Sequence, residues 1–146
     1  KAFDATIEQM VALAVLMPIV ASMGGNAGTQ TMTVTVRALA TSKLSRLNAP
    51  RVITREGLVG LCNGVVLSTL LALVVYMWFG QGKLGLVIGA AMIVNSVAAG
   101  LAGILIPLAM DSLDLDPAPA SGVFVTMITD VVGFFAFLGL ASIWLM

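Results

Sequence analysis

Asp130 is the only charged residue between Val123 and Met146. At four-residue spacing it shares a helical face with Gly122 and Thr126, and Thr129 and Gly133 adjoin that face. A carboxylate near the centre of a bilayer costs about 2.5 to 3.5 kcal/mol on insertion scales, so it persists with a partner or a task. No Lys, Arg or His stands in the apolar runs to pair with it. The missing counter-charge is therefore a bound cation, a proton or a group on another chain. A second polar stripe lies early in the chain, where Ser22, Gly25 or Asn26, Thr29 and Thr33 recur at helical spacing with Gln30 beside them. Facing one another, the two stripes would line an aqueous path with hydroxyls, amides and exposed carbonyls.

The donor set narrows the cation. Histidine is absent and cysteine is limited to Cys62, which excludes an internal disulfide and the usual ligands of zinc and copper. Oxygen remains. Magnesium takes oxygen ligands, dehydrates reluctantly and is held through one or two carboxylates and retained waters, so a sparse acidic site among small hydroxyls suits it better than it suits calcium. One Asp per chain is a weak divalent site, whereas the same Asp repeated about a two-fold axis puts two carboxylates on one ion. This predicts a homodimer with the pore at its interface. The alternative without an ion is a protonated Asp130 hydrogen-bonded inside a helix bundle, with the threonines bonding back to their own helices.

These residues must be carried by membrane-spanning helices. The sequence is 60% hydrophobic and 10% charged with a mean hydropathy of +1.09, against roughly a quarter charged in a soluble domain. Charge-free stretches run over Gln9–Val36, Gly57–Gly82 and Leu84–Met110, and Pro117–Met146 is interrupted only by Asp130. Each exceeds the ~20 residues that cross a hydrocarbon core. They predict one all-α polytopic bundle over 1–146, a transmembrane pore domain with spans at about 9–36, 57–80, 84–109 and 120–146. Thr31–Val36 alternates like a strand, but an isolated strand in lipid leaves its backbone unpaired, so the segment is expected to be helical. Pro18 and Gly24-Gly25 should bend or loosen that helix. Gly24/Gly28, Gly60/Gly64 and Gly85/Gly89 have the spacing of close helix packing, and Asn63 and Asn95 suit hydrogen bonds between helices. Tyr76, Trp78 and Trp144 fit an interfacial aromatic belt.

Arg37, Lys43, Arg46, Arg51 and Arg55 cluster in the connection 37–55, which the positive-inside rule places in the cytoplasm of a multi-pass protein of the inner (plasma) membrane. A formal net charge of zero, without a basic patch beyond the membrane-flanking loops, gives no footing for nucleic acid. Asp111, Asp114 and Asp116 form an acidic loop that would bind a cation or, more blandly, place Asp116 or Ser121 as a helix cap. An intramembrane aspartyl hydrolase needs two carboxylates sharing a site, and only Asp130 lies at that depth, so no enzyme is expected. The first residue is Lys and no charge-led signal peptide is visible, so the sequence reads as a piece of a longer chain.

Two segments carry a family resemblance. Pro18-Ile-Val-Ala-Ser-Met-Gly-Gly-Asn-Ala-Gly-Thr-Gln30, continuing to Arg37-Ala-Leu-Ala40, resembles the signature of the MgtE family of magnesium channels. Asp116-Pro-Ala, running on to Thr129-Asp-Val-Val-Gly133, resembles that family's last membrane helix. The resemblance implies a homodimeric, magnesium-selective channel lined by the glycine-rich helix and the last helix of both subunits. It implies that Asp130 is the central pore aspartate holding a largely hydrated magnesium ion. Gly25, Thr29 and Thr33 would line the pore from the first helix, and Gly122 and Thr126 from the last. Family members can carry Asn where Thr29 and Gly122 stand, so this chain lacks those amides at the flanking positions. Asp4 and Glu8 match acidic positions at the outer mouth. The resemblance further implies a preceding membrane helix and cytoplasmic regulatory domains, an acidic domain and paired CBS modules, in the full-length protein. Passive, voltage-assisted magnesium entry is the function expected. An ion-coupled divalent cation carrier using Asp130 as its protonation or sodium site is the alternative.

Overall fold

The Thr31–Val36 segment is helical, as lipid requires of its backbone, and two of its hydroxyls bond back onto the helix. Thr33 and Thr35 donate to the carbonyls of Thr29 and Thr31, four residues back, at 2.9 and 2.8 Å. A computed structural model describes residues 4–145, with side chains from Val11 onward; Asp4 and Glu8 thus have side chains outside the described residues. Four helices follow one another: α1 (Asp4–Ala40), α2 (Ala49–Phe79), α3 (Gly82–Ser112) and α4 (Pro117–Trp144). Each is long and apolar enough to cross a membrane, and no strand occurs among the described residues. Pro18 lies inside α1, on an exposed side, without interrupting it.

The helices overrun the charge-free stretches. Arg37 lies in the last turn of α1, Arg51 and Arg55 lie in the first turns of α2, and only Lys43 and Arg46 of the basic cluster stand in the connecting loop. A helix of 31 residues such as α2 is about 46 Å long against a hydrocarbon core of about 30 Å, so charged residues fit on its overhanging ends. The loop is closed by Asn48, whose Oδ1 accepts from the Ser45 amide at 2.8 Å and whose Nδ2 donates to the Lys43 carbonyl at 2.9 Å. Gly80 ends α2 at φ 67, a left-handed residue whose amide donates to the Tyr76 carbonyl. Asp116 caps α4, its Oδ1 accepting from the Ala118 amide at 3.0 Å.

Helix α3 is the centre of the bundle, buried over most of its length and packed against all three others. Small residues permit that on two sides. A methyl at Gly60 would sit 2.7 Å from the Ser96 carbonyl oxygen, and one at Gly100 would sit 2.9 Å from that of Glu56, so α2 and α3 touch backbone to backbone. Gly85 meets the Ala72 carbonyl in the same way, at 3.0 Å. On the α1 side, a methyl at Gly103 would sit 2.7 Å from the Gly28 carbonyl oxygen and 2.7 Å from Thr31 Cβ. Toward the end remote from the basic loop, Leu16, Val20, Val75, Leu84, Ile88, Met92 and Phe137 form a buried apolar core. By contrast α2 turns Leu58, Val66, Leu70, Leu73, Met77 and Trp78 outward. Tyr76 and Trp144 are also exposed.

Candidate functional site

Helices α1 and α4 run antiparallel along a seam of small residues. Gly133 closes on Ala21, Gly25 on Thr129, Gly28 on Val125 and Gly122 on Met32. This register sets Asp130 level with Gly24 and Gly25, Thr126 level with Gly28 and Thr29, and Gly122 level with Met32 and Thr33. Both helices bury one edge of the seam against α3, through Gly24 and Gly28 on α1 and through Gly133 on α4. Asn26, Thr29 and Thr33 on α1 and Thr126 on α4 are exposed beyond the other edge, where Asp130 is half-buried.

Asp130 opens into a concavity of about 550 Å³ that Gly122, Val123, Thr126, Met127 and Val131 also line. Its carboxylate accepts no hydrogen bond and meets no cationic side chain among the described residues. Thr129 is fully buried at the seam and donates to the Thr126 carbonyl at 3.0 Å, which removes it from the open face. Thr29 and Thr33 donate to the carbonyls of Gly25 and Thr29 at 2.8 and 2.9 Å. With their protons engaged, these hydroxyls turn oxygen lone pairs outward, the polarity that a hydrated cation meets favourably. Thr126 makes no such back-bond among the described residues.

One chain therefore carries two polar walls, the exposed edges of α1 and α4, side by side along the seam. Among the described residues no group of three or more His, Cys, Asp and Glu side chains could hold a metal ion. A dehydrated divalent ion would find too few ligands here.

The sequence model of the MgtE family, described as a divalent cation transporter, matches residues 17–140, a stretch that contains both walls. This chain belongs to the MgtE family. It is 34% identical to a magnesium transporter MgtE of Bacillus subtilis over 140 residues, covering 96% of this chain and 31% of that protein. Against the MgtE of Enterococcus faecalis the identity is 38%, covering 98% of this chain and 32% of the relative. Against that of Thermus thermophilus it is 36%, covering 99% and 32%. The chain spans about a third of the length of these curated relatives. They are named as transporters, and four apolar helices make this MgtE-family chain a multi-pass membrane protein.

In this MgtE-family chain Gln30 and Asn63 meet away from Asp130. Gln30, which flanks the α1 stripe, also borders a cleft with Glu56 and Asn63. Asn63 forms no bond between helices among the described residues. Asn95 does: its Nδ2 donates to the Val20 carbonyl at 2.8 Å, fully buried. Glu56 immediately precedes the charge-free run Gly57–Gly82, a position with no spacing signal of its own.

Proposed function

We propose that this chain forms half of a magnesium-selective pore, completed by a second copy related by a two-fold axis. The observation that carries the reading is the half-buried carboxylate of Asp130, without a counter-charge among the described residues, on an open face beside the polar edge of α1. In the dimer two such faces enclose a path lined by Gly25, Asn26, Thr29 and Thr33 from α1 and by Gly122, Thr126 and Asp130 from α4. Two carboxylates then neutralise one magnesium ion, which keeps most of its waters and reaches the hydroxyls and exposed carbonyls through them. The basic residues between α1 and α2 face the cytoplasm on this reading, so the ion moves toward them. An inward-negative potential of 100 mV supplies about 4.6 kcal/mol to a doubly charged ion, at ~2.3 kcal/mol per charge, and makes passive uptake downhill. Cytoplasmic regulatory domains would belong to the longer protein and act on this pore.

The test is magnesium influx into proteoliposomes containing the full-length protein, with the potential set by a potassium gradient. Asp130→Asn should remove magnesium flux while the dimer and its melting temperature stay as in the wild type. Undiminished flux with unchanged preference over calcium would refute the assignment. Wild-type flux that required a proton or sodium gradient at zero voltage would favour a coupled carrier instead.

A further inference from the structure

Helices α1 and α2 both lean on α3 and barely touch each other. Between them lies a cleft of about 230 Å³, on the side of α1 away from Asp130. Five polar side chains from three helices line it: Gln30 and Thr31 from α1, Glu56 and Asn63 from α2, and Ser96 from α3. None of the lining residues is cationic.

Most hydroxyl residues in these helices bond back to a carbonyl three or four positions earlier, as Thr35, Thr54, Ser68 and Thr69 do. Thr31 and Ser96 form no such bond, although Ser96 is only 3% exposed. Nor do Gln30, Glu56 and Asn63 hydrogen-bond to any side chain or backbone group among the described residues. Five unengaged polar groups thus converge on one space, and the sole formal charge they bring is negative. Ser96, the most buried of the five, is thus left without a partner among the described residues in a space that also holds a carboxylate.

We propose that this cleft is a second divalent-cation site, built on the Glu56 carboxylate and separate from the site at Asp130. All five side chains offer oxygen, the donor that hard cations take, and a single carboxylate with retained waters matches the way magnesium is held. The cleft, at about 230 Å³, has room for an ion together with retained waters. An alkyl chain or an apolar helix would bury Glu56 without compensation. The bound ion bridges α1 to α2 where protein contact is sparse, and Gln30 adjoins Thr29 in sequence, so occupancy steadies the helix that carries the first polar wall. This inference does not depend on the pore assignment of Asp130.

The test is anomalous diffraction from crystals of the full-length protein soaked in manganese(II) at millimolar concentration. The expected result is a peak in the cleft beside Glu56 that disappears in Glu56→Gln and persists in Glu56→Asp. Asn63→Leu, on an exposed position, should weaken that peak several-fold and keeps the test open if Glu56→Gln does not fold. A wild-type cleft without a peak overturns the proposal, as does a peak indifferent to both substitutions. A peak at Asp130 that survives Glu56→Gln shows the fold and the pore site intact. If Asp130 shows no peak while the cleft peak follows Glu56, the pore reading fails and the second site stands.

Discussion

Gly24 and Asn95 make a prediction that the geometry quantifies. The Asn95 amide is wedged between Gly24 and Gly133, and a methyl at Gly24 would stand 2.6 Å from its Cγ and 2.9 Å from its Oδ1, closer still to Nδ2. Gly24→Ala must therefore expel the amide and break its 2.8 Å bond to the Val20 carbonyl. Overpacking of this kind costs about 1 to 3 kcal/mol, and an interhelical hydrogen bond in a membrane adds about 0.6. The helix preference of Ala over Gly returns at most ~1 kcal/mol, leaving a net loss of about 2. Asn95→Ala alone behaves differently. It loses the same bond but also removes a buried Oδ1 that has no partner, whose burial is itself unfavourable by about 1 to 3 kcal/mol, so the net change stays near zero. In the double variant the Gly24 methyl enters the space that the amide vacated, and stability returns to within ~1 kcal/mol of the wild type. The coupling energy expected is about 1.5 to 2 kcal/mol, measured by reversible denaturant unfolding of the full-length protein in bicelles. Magnesium influx should fall in Gly24→Ala and recover in the double variant, because Gly24 is level with Asp130. Losses that add to within ~0.5 kcal/mol would refute the wedge.

Two further perturbations separate packing from ion binding. Gly103→Ala should destabilise the bundle by about 1 to 3 kcal/mol, since its methyl meets the Gly28 carbonyl at 2.7 Å; a lower melting temperature with reduced magnesium influx is the expected outcome, and an unchanged one would contradict the close approach of α1 and α3. Asp116→Ala should cost about 1 kcal/mol through loss of the cap while Asp116→Asn, which caps equally well, should be silent in both melting and magnesium affinity.

The number and type of the helices were legible because charge-free runs longer than a bilayer admit little else. Their ends were less so, since a helix continues into water as readily as lipid ends, and Arg37, Arg51 and Arg55 lie on those continuations. The central place of α3 was hidden as well. All four helices have similar hydropathy, and what sets α3 apart is glycine on two sides, Gly85 and Gly100 toward α2 and Gly103 toward α1. In the candidate site, four-residue spacing grouped Gly122, Thr126 and Asp130 on one face, where they line one concavity. Asn95 was recognisable as an amide seeking a partner, but its partner is a backbone carbonyl of α1, which carries no mark in the sequence.

The seams around α3 rest on hydrogen atoms where other proteins place side chains, with Gly60, Gly100 and Gly103 each within 3 Å of a facing carbonyl if given a methyl. No amino acid is smaller than glycine, so every codon change at these sites adds bulk and none is conservative. The outward Leu and Val of α2 can exchange among themselves with little consequence. Genetic drift is thus free along the rim of the molecule and arrested along its spine, and a deep mutational scan would draw the position of α3 without any coordinates.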